Sequence, residues 1–291
     1  MFAAIAAASA AFAAPMLIPA PREMSVTGGR VALAAADAPN VEVVASIPPE
    51  GYELSITTNA VTIRHSDDAG LFYAKATLAQ LRADATDATL PCLEIKDAPA
   101  FRWRGVHLDV ARHFFGKEAV KRLLDQMALY KYNVFHWHLT DDQAWTFEVP
   151  GYRRLVRNGA FYADGDIREI VEYARTRHIS VVPEIDFPGH FGAVRRAYPQ
   201  FACPGGKPMC VGNEEAVAFA ENVLDRACEL FPGVPIYDCG EAAATAVPAR
   251  FGGGGGSLRV YVSDDPERFR LAATRTGSLP PGVPIGSAAE G

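Results

Sequence analysis

Residues 133–142 read NVFHWHLTDD, an apolar and aromatic run that ends on two acidic residues. A run of this length and composition is typical of a buried strand. Two more stretches have the same form, GVHLDV at 105–110 and ISVVPEI at 179–185. Amphipathic patterns at 117–131 and 166–177 separate the three runs. Strands that alternate with helices of this length predict βα units around a parallel sheet.

The chain continues this pattern only in part. Residues 214–230 predict a further helix and 234–239 a fourth strand, but five glycines follow at 252–256 in a segment rich in Gly, Pro, Ser and Ala. Four more βα units would need roughly 120 residues at about 30 per unit. We therefore expect an α/β fold with a partial (β/α)8 TIM-type barrel over residues 99–250 and a disordered tail over 251–291.

Residues 16–98 have the pattern of a small α+β domain. Period-two alternation at 52–56 and 60–64 predicts a hairpin, and apolar residues at helical spacing predict a helix over 71–81. The polar segment 96–99, which ends on a proline, marks the expected boundary to the barrel domain.

Residues 1–15 indicate a signal peptide, because they carry no charge and contain Ala11-Phe12-Ala13 in the small-x-small spacing of a cleavage site. The positive residue that usually precedes such a run is missing, so an alanine-rich leader of another kind stays open. We expect export to the periplasm or the cell exterior. No stretch reaches about 18 apolar residues, so no membrane span is predicted. The net charge of −6 argues against nucleic acid as a partner.

The cysteines show no CxxC or other zinc spacing, so no metal site is predicted from them. They lie at 92, 203, 210, 228 and 239. Cys203 and Cys210 bracket a short loop, PGGKPM. In an exported chain these two could form a disulfide, and two unpaired thiols are the equal alternative.

Polar side chains follow each of the four predicted strands. They are Asp109 and Arg112, then His138, Asp141 and Asp142, then Glu184, Asp186 and His190, then Asp238 and Glu241. Taken singly, each group could be a surface ion pair, a structural histidine or a helix cap. Four such groups at the strand ends of a barrel, where active sites of this fold lie, favour one shared site. Carboxylates and an arginine between apolar walls suit a sugar or a polyol.

Three longer stretches resemble sequence motifs of the glycoside hydrolase family 20 β-N-acetylhexosaminidases. These are RGVHLDVARHFF at 104–115, NVFHWHLTDDQ at 133–143 and VPEIDFPGH at 182–190. Residues 16–98 are similar to the non-catalytic domain that precedes the barrel in that family, and the resemblance extends over roughly residues 16–245. It implies an exo-acting, retaining glycosidase that removes terminal β-linked N-acetylglucosamine or N-acetylgalactosamine from glycans. The 2-acetamido group of the substrate would act as the nucleophile, and no metal or organic cofactor would be needed.

The resemblance also implies roles for individual residues. Arg112 would bind the outer hydroxyls of the terminal sugar. His138, Asp141 and His190 would bind substrate or support the catalytic carboxylates. Glu241 aligns with the general acid that protonates the leaving oxygen.

The aspartate that orients the acetamide group in the family has no direct match. Gly240 stands at its position, and Asp238 is the nearest aspartate. Asp238 and Glu241 are therefore the predicted catalytic residues. The alternative to an enzyme is a truncated, non-catalytic homologue with at most weak sugar binding.

Overall fold

The computed structural model describes residues 14–85, 87–156, 159–206, 208–234, 260–262 and 285–287. The described residues leave out all but the last two residues of the predicted leader and all but the first residue of the predicted fourth strand. They also leave out Asp238, Gly240 and Glu241. By its internal contacts the chain divides into two compact units. The first comprises Met1–Asp109, Phe115–His138 and Gly165–Pro183, and the second comprises Val110–Phe114, Leu139–Asp164 and Glu184–Gly291.

The first unit begins with a five-stranded sheet and one long helix. Its elements are β1 (Glu23–Ala32), β2 (Asn40–Val43), β3 (Tyr52–Ile56), β4 (Val61–His65), α1 (Asp68–Ala83) and β5 (Thr89–Asp97). The strand order is β1-β5-β3-β4-β2. β3 and β4 form the predicted antiparallel hairpin, and α1 contains the predicted helix. The other three strands were not predicted from the sequence patterns.

The core of this sheet follows from the alternation along its strands. Tyr52, Leu54 and Ile56 occupy every second position of β3, and each is at most 1% exposed. They belong to one apolar cluster with buried residues of α1, namely Tyr73, Ala74, Leu78 and Leu81. Burial of such side chains is the main favourable term in folding, at about 1.5–3 kcal/mol for each large one.

Asp67 and Gly70 fix the start of α1. The Asp67 side chain accepts hydrogen bonds from the backbone N–H groups of Gly70 and Glu50, both at 2.8 Å. Burial alone would raise the pKa of Asp67, but these hydrogen bonds to its charged form hold the pKa below its ordinary value. Gly70 has to be glycine, because a Cβ there would collide with the backbone oxygen of Gly51.

The rest of the first unit is a three-stranded sheet with two helices. Two end residues of these elements, Asp164 and Glu184, are assigned to the second unit. β6 (Gly105–Asp109), α2 (Lys117–Leu129), β7 (Val134–His138), α3 (Asp164–Arg175) and β8 (Ser180–Glu184) follow one another, and the strand order is β6-β7-β8. β6 and β7 run parallel. All five elements confirm the sequence prediction to within two residues at each end. The observed fold is therefore mixed α/β.

A buried lysine links the two sheets of the first unit. Lys131 is 7% exposed, and its Nζ donates to Asp97 Oδ2 at 2.8 Å and to the Tyr52 hydroxyl at 2.9 Å. The Tyr52 hydroxyl also lies 2.7 Å from Thr77 Oγ1 and 3.1 Å from Asp97 Oδ2. Burial lowers the pKa of Lys131, and burial together with Asp97 raises the pKa of Tyr52. The network ties β3, β5 and α1 to the segment between α2 and β7.

Arg104 makes a second link in the same unit. Its guanidinium donates to Glu50 Oε2 at 2.6 Å, to the Tyr73 hydroxyl at 2.9 Å and to the backbone oxygen of Lys131 at 2.7 Å. Burial raises the pKa of Tyr73 to about 12, so this hydroxyl stays protonated at neutral pH. Arg104 directly precedes β6, and the start of that strand is thereby attached to the first sheet.

The second unit has an aromatic core. Its helices among the described residues are α4 (Gly192–Ala197) and α5 (Glu214–Leu230), and α5 has the predicted bounds. Phe219 of α5 is fully buried, and its ring centroid lies 5.3–6.2 Å from those of Trp145, Phe191 and Phe201. Aromatic pairs at these separations add to the energy of burial.

Arg226 holds α5 to the segment that precedes α3. Its Nε donates to the backbone oxygen of Glu148 at 3.3 Å, and its guanidinium also pairs with Glu229 at 2.7 Å and with Asp164. Glu148, Asp164 and Arg226 line part of a polar cavity of about 330 Å³. The orientation of α5 therefore depends on a paired, largely buried guanidinium.

No disulfide joins Cys203 and Cys210 in the described structure. They lie on a short hairpin in which Ala202 pairs with Met209. Of the two alternatives that the sequence left open, the described structure therefore lacks the Cys203–Cys210 disulfide.

Two short strands lie in the predicted tail. β9 (Val260–Val262) and β10 (Ile285–Ser287) pair in parallel. The other residues of 251–291 lie outside the part of the chain that the structure describes. Among the described residues, no helix combines the length and the apolar character that crossing a membrane requires.

Removal of the Asp97 carboxylate should destabilise the first unit strongly. Asp97→Ala leaves the buried Lys131 ammonium without its counter-charge, and breaking a buried pair in this way costs about 3–5 kcal/mol. Glu172→Ala is the matched control, because the Glu172–Arg175 pair is exposed and exposed pairs contribute less than about 1 kcal/mol. Urea unfolding followed by circular dichroism measures both variants. Equal losses in the free energy of unfolding would contradict this account of Lys131.

Glu169 should couple α2 to α3 in a pH-dependent way. Its carboxylate accepts hydrogen bonds from Lys117 and Lys121, each at 2.8 Å, and these lower its pKa to about 2. The pairs stabilise the folded state above the unfolded pKa of about 4.3, and this contribution is lost as the pH falls toward the folded value.

Glu169→Gln should therefore lower the melting temperature at neutral pH, and the difference from the parent chain should shrink as the pH falls below about 4. Glu118→Gln is the control, because Glu118 lies 3.9 Å from Lys121 Nζ and is more exposed. Thermal unfolding at several pH values measures the effect. A difference that does not change with pH would show that these ion pairs contribute nothing.

Candidate functional site

A buried carboxylate with two partners lies in the second unit. Asp141 is 1% exposed. One of its oxygens, Oδ2, lies 2.6 Å from the Arg112 guanidinium, and the other, Oδ1, lies 3.1 Å from His190 Nδ1. Arg112 and His190 are each about half exposed. The structure thus brings three of the sequence-predicted site residues together, with the negative charge inside and its partners toward solvent.

The loop after β7 is held tightly, and this fixes the position of Asp141. The backbone N–H of Asp141 donates to the oxygen of Ala144 at 3.0 Å, and Thr140 forms a bridge with Trp145. Thr140 Oγ1 in turn accepts a hydrogen bond from the backbone N–H of Asp186 at 2.8 Å. The segments that carry Asp141 and His190 are therefore joined by backbone contacts as well as by their side chains.

Asp142 and Gly192 set the position of the segment that carries His190. Asp142 Oδ1 accepts a hydrogen bond from the backbone N–H of Gly192 at 2.8 Å. A Cβ on residue 192 would lie 2.7 Å from that same oxygen and 2.8 Å from the Asp142 backbone oxygen, so only glycine fits. His190 itself has a φ of 46°, in the left-handed region that non-glycine residues rarely adopt.

Three carboxylates surround the His190 imidazole. Asp141 is bonded to Nδ1, Asp142 Oδ2 lies 4.0 Å from Nδ1, and Asp186 Oδ2 lies 3.9 Å from Nε2. The Arg112 guanidinium is the nearby positive group on the opposite oxygen of Asp141. Such a site offers hydrogen-bond donors and acceptors in close alternation, which is what hydroxyl-rich ligands require.

Asp141, Asp142 and His190 each offer one donor atom within 4.8 Å of the others, a spacing at which a metal ion could bind. Arg112 is bonded to the same Asp141 carboxylate, and a cation there would have to compete with the guanidinium. The donor set therefore fits an ion-paired polar site better than a metal site.

The other residues to which the family resemblance gives a role are His138, Asp238 and Glu241. His138 is the last residue of β7, belongs to the first unit and is 4% exposed. Asp238 and Glu241 lie outside the described residues. Gly192 was missed at the sequence level, and the only signal for it was a glycine two residues after His190.

Two family sequence models match the chain. The model of the glycosyl hydrolase family 20 catalytic domain matches residues 101–242, and the model of domain 2 of that family matches residues 28–98. Together they cover more than half of the 291 residues.

Two curated proteins of similar sequence are named as a β-hexosaminidase and a chitobiase. A β-hexosaminidase of Porphyromonas gingivalis is 38% identical in an alignment of 233 positions, which covers 69% of this chain and 30% of the relative. The N,N'-diacetylchitobiase of Vibrio harveyi is 40% identical in an alignment of 167 positions, which covers 48% of this chain and 19% of the relative. The chain thus spans less than a third of the length of either relative.

Solved structures also match. A family 20 exo-β-N-acetylglucosaminidase of Vibrio harveyi, in complex with N-acetylglucosamine, is 26% identical with a TM-score of 0.67, over 81% of this chain and 50% of that one. A chitobiase of Flavobacterium johnsoniae is 29% identical with a TM-score of 0.66, over 74% of this chain and 43% of that one. By these matches of sequence and structure, the chain belongs to glycoside hydrolase family 20.

Proposed function

We propose that this chain is an exo-acting β-N-acetylhexosaminidase that removes terminal β-linked N-acetylglucosamine or N-acetylgalactosamine from glycans. The observation that carries the proposal is the cluster of Arg112, Asp141 and His190. Each of the three residues comes from a different one of the three family motifs in the sequence. The β-hexosaminidase and chitobiase relatives support the same activity.

The proposal gives the fold a finer description. β6, β7 and β8 would be the first three strands of a (β/α)8 barrel, and residues 234–239 would be the fourth. Active sites of such barrels lie beyond the carboxyl ends of the strands. Arg112 follows β6, Asp141 follows β7 and His190 follows β8 by three to six residues, which agrees with that rule.

Arg112 is the residue proposed to bind the outer hydroxyls of the terminal sugar. A guanidinium carries five N–H donors, more than one carboxylate can accept, so Arg112 can bind hydroxyls while it is paired with Asp141. The buried Asp141 fixes the plane of the guanidinium, and the exposed half of Arg112 faces solvent, where a substrate would arrive. A preorganised donor loses less entropy on binding.

His190 is proposed to present its Nε2 toward the substrate region. The Asp141 carboxylate at Nδ1 favours the proton on that nitrogen, so Nε2 of the neutral ring is a hydrogen-bond acceptor. His138 would support substrate binding, as the family resemblance implies.

The proposed reaction has two steps with retention at the anomeric carbon. In the first, the 2-acetamido carbonyl oxygen of the substrate bonds to C1, the glycosidic C1–O bond breaks, and Glu241 gives its proton to the leaving oxygen. In the second, Glu241 takes a proton from water, which adds to C1 and opens the oxazolinium ring. Asp238 is the carboxylate proposed to stabilise the acetamide nitrogen as it becomes positive.

A non-catalytic sugar-binding homologue is the second candidate. The observation in its favour is Gly240, which stands where the family has the aspartate next to the general acid. Hydrolysis of p-nitrophenyl β-N-acetylglucosaminide by the purified chain, with a heat-denatured sample as control, separates the two. Release of nitrophenol supports the enzyme. Saturable binding of N-acetylglucosamine without release supports the homologue.

Arg112→Lys should weaken the binding of N-acetylglucosamine by about 1–3 kcal/mol, because lysine cannot reproduce the planar, forked hydrogen bonds of a guanidinium. Arg175→Lys is the matched control, since Arg175 is also bonded to a carboxylate but lies exposed on α3. Isothermal titration calorimetry measures both affinities. Equal affinity in the Arg112 variant and the parent chain would rule out this role.

Glu241→Gln should abolish turnover of substrates with poor leaving groups, such as chitobiose. Substrates with a dinitrophenyl leaving group should be largely spared, because general-acid assistance is worth about 10²- to 10⁴-fold and they need little of it. Asp238→Asn is the comparison, and it should slow both substrate types alike if Asp238 acts on the acetamide. A Glu241 variant that slows both types equally would contradict the assignment of the proton donor.

A further inference from the structure

Three histidines and one aspartate share a face of the β6–β7 pair in the first unit. His107 lies directly opposite His136, and Asp109 lies directly opposite His138. Side chains two residues apart on a strand point to the same side of a sheet. These four residues therefore form two adjacent rows on one face.

The distances between the histidine rings are compatible with a shared metal ion. The His107 ring centroid lies 4.7 Å from that of His136 and 5.8 Å from that of His138. With Zn–N bonds of about 2 Å, two imidazoles on one tetrahedral zinc ion have ring centroids about 5 Å apart. The two observed separations bracket that value.

The individual donor atoms are also close. A ring nitrogen of His107 and a carboxylate oxygen of Asp109 each lie within 4.8 Å of a ring nitrogen of His138. Donor atoms on one tetrahedral zinc ion are about 3.3 Å apart. Where the donor atoms lie farther apart than this, binding of the ion would require the side chains to rotate toward it.

We propose that His107, His136 and His138, with Asp109, form a site for a divalent transition-metal ion such as Zn²⁺. Imidazole nitrogens with one carboxylate are the donors that zinc takes, whereas Mg²⁺ and Ca²⁺ prefer oxygen donors alone. His107 is exposed, so an ion could reach the site from solvent on that side. His138 is buried and would bind the ion from the opposite, inner side.

The site has no part in the proposed hydrolysis, which uses no metal. All four side chains have other contacts in the described structure, and zinc would have to replace some of them. We therefore expect micromolar affinity, weaker than that of dedicated structural zinc sites.

One consequence rests on the proposed function. If His138 supports sugar binding, bound zinc should weaken the affinity for N-acetylglucosamine. Zinc binding itself does not depend on that role, because it is measured on the chain without sugar. An inactive chain that binds zinc would thus refute only the proposed function.

The test is calorimetric titration of the full, untagged chain with ZnCl₂. We expect one ion per chain, with affinity at least tenfold weaker in His107→Ala and in His136→Ala. His178→Ala is the matched control, because its ring packs at a tilt against Phe72, with centroids 5.3 Å apart, and is not one of the four proposed ligands; the affinity of this variant should be unchanged. Circular dichroism checks that each variant is folded, and the exposed His107 keeps the test valid if the His136 variant is not.

A second readout uses Cu²⁺, whose electron paramagnetic resonance spectrum reports nitrogen ligands. The parent chain should show at least two, and His107→Ala should lose one. The proposal is overturned if the parent chain does not bind zinc, or if His107→Ala binds it unchanged. It is also overturned if only His190→Ala abolishes binding, because the ion would then lie at Asp141, Asp142 and His190.

Discussion

The second unit depends on one buried carboxylate. Its three chain segments are far apart in sequence, and Asp141 lies in the middle one. Arg112 reaches it from the first segment and His190 from the third. A carboxylate that is 1% exposed costs several kcal/mol unless its charge is balanced. The three segments therefore have to assemble together. The Asp141 carboxylate thus belongs to the candidate site and also holds the three segments in place.

The first unit also buries a charged group, but here the charge is positive: the Lys131 ammonium. Lys131 carries its ammonium between β3 and β5, where Asp97 and the Tyr52 hydroxyl receive it. Apolar side chains fill the core of each part, but they do not specify how the parts are joined. A buried ion pair with fixed hydrogen-bond partners accepts only one arrangement, because any other leaves a charge without a partner. Specific attachment in this unit thus comes from its polar groups.

Sequence patterns predict the elements that have strong periodicity. The βα order from β6 to β8 and the full length of α5 follow from apolar spacing alone. β1 was not predicted because Gly28 and Gly29 interrupt it. The register of its pairing with β5 shifts at that point. β5 contains Pro91, and its alternation of buried and exposed residues is interrupted at Cys92 and Leu93. β2 has only four residues, all exposed, so it has no buried face to predict.

The site is predictable to a similar extent. Strand-end logic finds Arg112, Asp141 and His190, because polar residues after apolar runs are visible in the sequence. It does not find that Arg112 and His190 share the two oxygens of one carboxylate, since that requires segments 29 and 49 residues away to meet. The exclusion of any Cβ at Gly192 is likewise a property of the packed Asp142 loop.

The backbone of His190 has a consequence for any attempt to make this protein more robust. Its left-handed φ costs a residue with a side chain about 1–2 kcal/mol that glycine would not pay. At this position the chain keeps an imidazole at the expense of a more relaxed backbone. Glycine here would relax the backbone, but it would also remove the partner of the buried Asp141 Oδ1, which costs stability in turn. A relaxed backbone and a satisfied Asp141 are therefore opposed at a single codon, so the stability of a variant at this position says nothing about its site, and a screen for heat resistance has to be paired with a direct assay of the site.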